Sequence, residues 1–205
     1  MSWKEFLKEK RSRFELLITF LMLLIVLTAL TNFLNFVEAR KGVALQDPLL
    51  NLFQPINLTW LTFALIYVSI VFAIVSLFKN PSRLVFAMQL YTLMVAVRII
   101  AMYLMPLNPP SSMIILNDPL VEYFGTGQTL TKDLFFSGHT ATLFILFLVS
   151  ENKIIKTVFM ISTIAVAISV ILQHVHYTID VFAAVFFTYA CYKLLVKART
   201  MYLYE

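Results

Sequence analysis

Residues 155–173 read IKTVFMISTIAVAISVILQ, and the chain continues through His174-Val175-His176-Tyr177-Thr178-Ile179-Asp180 into another apolar run ending near residue 196. The first stretch is 19 residues long and carries a single charge, Lys156. A helix needs about 20 apolar residues to cross a bilayer. Its Ser and Thr hydroxyls can bond their own helix backbone in lipid. The stretch therefore reads as a membrane span, and polar residues then gather at the start of the next one.

The same pattern recurs along the chain. Candidate spans cover about 14–36, 57–78, 84–105, 134–150, 155–173 and 176–196. Lys79-Asn80-Pro81-Ser82-Arg83 separates the second from the third, Pro106, Pro109 and Pro110 end the third, and Glu151-Asn152-Lys153 makes a tight polar turn. The expected fold is all-α: a single integral membrane domain over residues 1–205, built as a six-helix transmembrane bundle. The apolar stretch from Phe14 is too long for a signal-peptide core and lacks a small-residue cleavage site, so it reads as a retained first helix.

Composition agrees. Hydrophobic residues make up 60% and charged residues 13% of 205, against about 45–50% and about 25% in soluble domains. Mean hydropathy is +0.86. A water-soluble globule of this size cannot hide so much apolar surface. The net charge of +5 comes without a basic stripe, so nucleic acid is not an expected partner. Cys191 is alone, which excludes an intrachain disulfide, and it reads as a small buried hydrophobe. No cofactor is expected.

Twelve of the sixteen Lys and Arg fall on one side of this topology, in the N-terminal tail, two short loops and the C-terminal tail. The positive-inside rule then expects both termini in the cytoplasm. Loops 37–56 and 106–133 face outward or into a lumen, with Glu38, Asp47, Asp118, Glu122 and Asp133.

All three histidines lie near span starts at that outward end. His176 and Asp180 are spaced i, i+4, which puts them on one helix face. A carboxylate inside a span is costly and marks a functional site by default. Bonded to one ring nitrogen of His176, it fixes the tautomer and leaves the other lone pair free to attack. His139 can supply a proton to a leaving oxygen. Ser137 and Gly138 precede it, where helix-start N–H groups and a side-chain-free backbone can face an anion. Nucleophile, orienter, acid and anion-facing amides suit phosphoryl or phosphodiester chemistry.

His174 and Tyr177 flank the nucleophile and join Arg98, Ser137 and Gly138 as candidates to line the substrate site. Each also has a plainer reading. His174 reads as a supporting or interfacial histidine, and Tyr91, Tyr103, Tyr123 and Tyr177 as interface anchors. Arg98 either snorkels to the interface or holds a phosphate. Lys132 and Asp133 read as ordinary charges at a helix start. His174 and His176, at i, i+2, do not share a helix face, which argues against a metal site.

Ser137-Gly138-His139 resembles the central signature of the type 2 phosphatidic acid phosphatase superfamily, and His176-xxx-Asp180 resembles its last one. The string Ser137-Gly138-His139-Thr140 and the run from His174 to Val181 look like the sphingomyelin synthase branch, with Arg98 to Pro106 a looser likeness. The resemblance covers a catalytic core of about residues 80–196. It implies a six-helix bundle acting through a phosphohistidine intermediate, with His176 as nucleophile, Asp180 as its orienter and His139 as general acid. The implied activity is transfer or hydrolysis of a phospholipid headgroup at the outer membrane face, releasing diacylglycerol. The implied partners are a membrane phospholipid and an acceptor such as ceramide, another lipid alcohol or water. Nothing in the sequence excludes self-association.

The phosphatase branch also carries an early Lys/Arg signature ending Arg-Pro, absent here, and Ser-Arg at positions where this chain has Ser169 and Val170. A monoester dianion benefits from an arginine clamp more than a diester monoanion does, so the missing cations favour a diester. A lipid phosphate monoesterase is the alternative, and a non-enzymatic transporter or scaffold a third. No clear internal repeat supports a transporter.

Overall fold

The structure, a computed structural model, describes residues 2–117 and 130–203. Asp118, Glu122 and Tyr123 lie outside the described residues. The described residues form seven α-helices: α1 (Trp3–Lys8), α2 (Lys10–Ala39), α3 (Thr59–Leu77), α4 (Pro81–Leu104), α5 (Gly138–Val149), α6 (Lys153–Leu172) and α7 (Thr178–Leu203). Five of them, α2, α3, α4, α6 and α7, are long and apolar enough to cross a membrane.

Local chemistry sets the boundaries. Ser2 and Glu5 form a reciprocal capping box on α1. Pro81 starts α4 at a position where its missing N–H costs nothing. The Asn152 side chain accepts from the N–H groups of Ile154 and Ile155 at the start of α6. Large apolar side chains remain on the outer faces, among them Phe14, Val68, Ile161 and Phe186, with Trp60 88% exposed. Such a surface suits a lipid solvent.

The expected span at 134–150 is different. Its helix, α5, has 12 residues, about 18 Å of rise against a hydrocarbon core of about 30 Å. Yet α5 occupies the middle of the bundle, packed against α3, α4, α6 and α7, and Ala141, Leu143 and Ile145 are buried. The chain before it, residues 130–137, is not helical. Irregular backbone at membrane depth is tolerated only where protein satisfies its polar groups. Here Glu38, at the end of α2, accepts from the N–H groups of Thr131 and Lys132, both at 3.0 Å. The Lys132 ammonium donates to the Glu38 and Arg40 carbonyls at 2.9 and 2.8 Å. Lys132 and Asp133 therefore belong to this half-buried strap rather than to a helix start.

Helix directions alternate, so one end of the bundle collects the C-termini of α2, α4 and α6 and the N-termini of α3, α5 and α7. Arg40 donates to the carbonyls of Met102 and Tyr103 there. Val43 and Leu107 bridge the two loops. A Cβ on Gly42 would stand 2.6 Å from the Leu107 carbonyl carbon, so only glycine permits this approach. At the opposite end Trp3 donates to the Phe78 carbonyl, Arg83 pairs with Glu151, and Arg199 pairs with Glu15.

Candidate active site

Two helix N-termini meet at the loop-covered end. Ser137 precedes α5, and its N–H donates to the Asp180 carbonyl at 3.1 Å, tying the start of α5 to the first turn of α7. The Ser137 hydroxyl accepts from the Thr140 N–H, so it serves as the cap of α5. Helix starts leave N–H groups without intrahelical partners and carry positive partial charge. Both properties favour an anion between α5 and α7.

His176 and Asp180 are buried, at 1% and 0% exposure. The i, i+4 spacing predicts a shared helix face, but α7 begins at Thr178, so His176 stands before the helix. The pair forms differently. Asp180 reaches back across the helix start, where its Oδ2 accepts from the Tyr177 N–H at 3.0 Å and lies 3.3 Å from His176 Nδ1. With the proton on Nδ1, the other ring nitrogen carries the lone pair. His176 Nε2 has no hydrogen-bond partner among the described residues. The His139 ring stands edge-on to His176, with centroids 6.0 Å apart, and edge-on to Phe63 at 6.3 Å.

The turn that delivers His176 is built by its neighbours. His174 has φ of +55°, a left-handed conformation costing roughly 1–2 kcal/mol in a non-glycine residue. It ends α6 and lets the N–H groups of Val175 and His176 return to the Val170 carbonyl. His174 Nδ1 lies 2.6 Å from the Ser112 hydroxyl, and its ring packs on Phe53. Burial pushes the imidazole below its ordinary range, against the pull of the nearby Asp47 carboxylate. Gln173 accepts from the Leu58 N–H and donates to Thr59 and the Ile114 carbonyl. The hairpin 173–177 is thus pinned to both covering loops.

Tyr177 belongs to that scaffold. Its hydroxyl donates to the Asn108 carbonyl at 2.9 Å and accepts from the Leu45 N–H at 3.2 Å. Burial raises its phenol, so it stays protonated at neutral pH. His139, His176, Asp180, Ser137 and Gly138 come together, whereas the polar atoms named here for His174 and Tyr177 engage the loops.

Asp47 supports the same turn. Its carboxylate accepts from the Thr178 N–H at 2.6 Å and the Thr178 hydroxyl at 3.1 Å. Burial raises this carboxyl, but those bonds and the one from Leu49 outweigh it, and its pKa falls below the ordinary aspartate value. A depressed carboxyl contributes stability above its unfolded pKa and loses it as pH falls through the folded value. Asp47→Ala is expected to cost about 0.5–2 kcal/mol, as loss of a cap does. The deficit should be full at neutral pH and vanish in acid below the ordinary aspartate range, as read by thermal unfolding in detergent.

Arg98, 5% exposed on α4, reaches the site. Its Nε donates to the Phe136 carbonyl at 2.7 Å and its Nη2 to Asp133 Oδ1 at 2.5 Å. The guanidinium lies flat against the start of α5, because a Cβ on Gly138 would stand 3.0 Å from its central carbon. Of the two sequence readings of Arg98, this burial excludes snorkelling. Gly138→Ala must push the guanidinium aside or strain the helix start. The expected cost is about 1–3 kcal/mol, typical of overpacking, with a larger fractional loss of turnover than Thr142→Ala one turn later. Thermal unfolding and initial rates of both variants check this.

Glu38, Asp47, Asn108, Ser112, Asp133 and Gln173 hold the site together without having stood out in the sequence. A weak signal existed for Gln173 and Asp133, each a polar residue at the edge of an apolar run. Among the described residues, no group of three or more His, Cys, Asp or Glu is placed to hold a metal ion.

Residues 132–198 match the family model described as PAP2 superfamily C-terminal. That match supports the PAP2 superfamily for this chain. It covers about a third of the sequence and includes His139, His176 and Asp180, while Arg98 lies outside it. A PAP2 match suggests phosphatase- or phosphotransferase-type activity on lipids. No curated protein and no solved structure matches the chain.

Proposed function

We propose that the protein transfers or hydrolyses the phospho-headgroup of a membrane phospholipid through a phosphohistidine on His176, in the manner of the sphingomyelin synthase branch. The observation that carries this reading is the His176 ring, oriented by Asp180 through Nδ1, with unpartnered Nε2 beside His139.

In this reading Nε2 attacks phosphorus, forming a P–N bond as the P–O bond to diacylglycerol breaks. His139 gives its proton to the departing oxygen. An acceptor hydroxyl then attacks phosphorus, its proton passes to His139, and the P–N bond breaks. The N-terminus of α5 and the Arg98 guanidinium stabilise the phosphoryl oxygens in both halves. A ceramide or other lipid alcohol makes the enzyme a transferase, and water makes it a hydrolase. The PAP2 match also favours a lipid phosphate monoesterase as a second reading.

By the positive-inside rule, the end of the bundle holding this site faces outward or into a lumen. The test offers phosphatidylcholine, phosphatidylethanolamine and phosphatidic acid in mixed micelles with EDTA, with and without ceramide, and reads products by lipid mass spectrometry. Diacylglycerol from an intact diester supports headgroup cleavage, and a phospho-headgroup ceramide supports transfer. Turnover of phosphatidic acid alone supports the monoesterase instead.

A further inference from the structure

We infer that Asp133 is a specificity-determining residue: by neutralising Arg98 at the start of α5, it sets the site to prefer a singly charged phosphodiester over a doubly charged phosphate monoester. This inference rests on the catalytic reading above.

Arg98 is the guanidinium that lies against the Ser137–His139 turn. Two of its three nitrogens are already committed, Nε to the Phe136 carbonyl and Nη2 to Asp133. Only Nη1 takes part in neither bond. The ion pair has side-chain exposures of 6% and 25%, so solvent screens it little on the arginine side. An approaching anion therefore meets a neutralised pair instead of an unopposed cation. Asp180 adds a further carboxylate at the adjoining start of α7, where its backbone carbonyl accepts from the Ser137 N–H.

Charge arithmetic then separates the two substrates. A diester brings one negative charge. A monoester takes on its second near pH ~6, and that charge adds repulsion from Asp133 without a matching free cation. The positive ends of α5 and α7 supply only fractional charge, enough to favour the first negative charge more than the second. Asp133 lies five residues before Gly138, so the strap that delivers the α5 N-terminus also delivers its counter-charge.

The test is the ratio of phosphatidic acid to phosphatidylcholine turnover for the unchanged protein, Asp133→Asn and Asp133→Glu, measured in mixed micelles across pH ~6. Asparagine keeps an oxygen for Arg98 Nη2 while removing the charge. The expected result is a ratio raised about tenfold or more in Asp133→Asn, since a unit charge about 4 Å away at a half-buried site is worth more than one decade at an effective dielectric near 20. That ratio should climb as the monoester takes its second charge, while Asp133→Glu keeps the parent ratio. A merely structural role for Asp133 lowers both activities together and leaves the ratio flat, which overturns the inference.

A second measurement needs no variant. Glycerol phosphate, a monoester, should inhibit the unchanged protein less strongly as pH rises through ~6. Inhibition that strengthens over that range also overturns the inference. Absence of turnover on every lipid phosphate by the unchanged protein sinks the catalytic reading itself. Turnover with an unaltered ratio sinks only the role given to Asp133.

Discussion

His176→Ala is expected to lower turnover of any lipid phosphate substrate by at least about 10⁴-fold, the scale of losing a covalent nucleophile. The alanine protein also leaves Asp180 with only the Tyr177 N–H, a buried carboxylate stripped of its imidazole partner. Breaking a buried charged pair from one side costs several kcal/mol at its upper end, so its melting temperature should fall as well. His176→Asn separates the two effects. Its amide N–H can still reach Asp180, and it has no basic lone pair. It should melt closer to the parent protein yet remain equally inactive. Recovery of activity in His176→Asn would contradict a nucleophilic role. Initial rates and thermal unfolding on the same preparations decide the matter.

Asp180→Asn is the second large effect and runs in the opposite direction for stability. Asp180 Oδ1 is buried without a hydrogen-bond partner among the described residues, and Oδ2 carries both bonds. A neutral amide of the same shape keeps an oxygen for the Tyr177 N–H and avoids burying a charge. The melting temperature should therefore hold or rise, because replacing a poorly satisfied buried charge often stabilises. Turnover should nonetheless fall about 10²–10⁴-fold, since the charge that fixes the tautomer and supports the developing cationic ring is lost. Opposed changes in stability and activity distinguish an orienting carboxylate from a helix cap. A plain cap loses stability on substitution, as Asp47 is expected to do, and affects turnover only through folding.

Both predictions depend on a geometry that spacing alone misdescribes. An i, i+4 interval suggests two residues on one helix face. The actual contact crosses a helix start, with the acid at the third helical position reaching back to the residues before it. The same interval satisfies both arrangements. The choice between them is made by the left-handed turn at His174, by Asp47 at Thr178 and by the loop contacts of Gln173. Those partners lie 59 to 131 residues away in sequence. No local pattern reports them.

The five long helices were legible because each is a continuous apolar run closed by proline, charge or polar turns. In a bilayer the backbone leaves few other options. The histidines and their carboxylate were legible for a related reason. Polar side chains at the ends of such runs are few, so each stands out. Apolar patterning thus set out five helices long and apolar enough to cross a membrane, and the residue types available for chemistry at one end. Packing between the helices decided that the run at 134–150 is a short, central helix preceded by a half-buried irregular strap. It also decided that Arg98 reaches the Ser137–Gly138 turn already paired with Asp133. Both outcomes come from packing between segments distant along the chain. Burial requires each polar group there to find a partner, and which partner it finds depends on where the other helices place their ends.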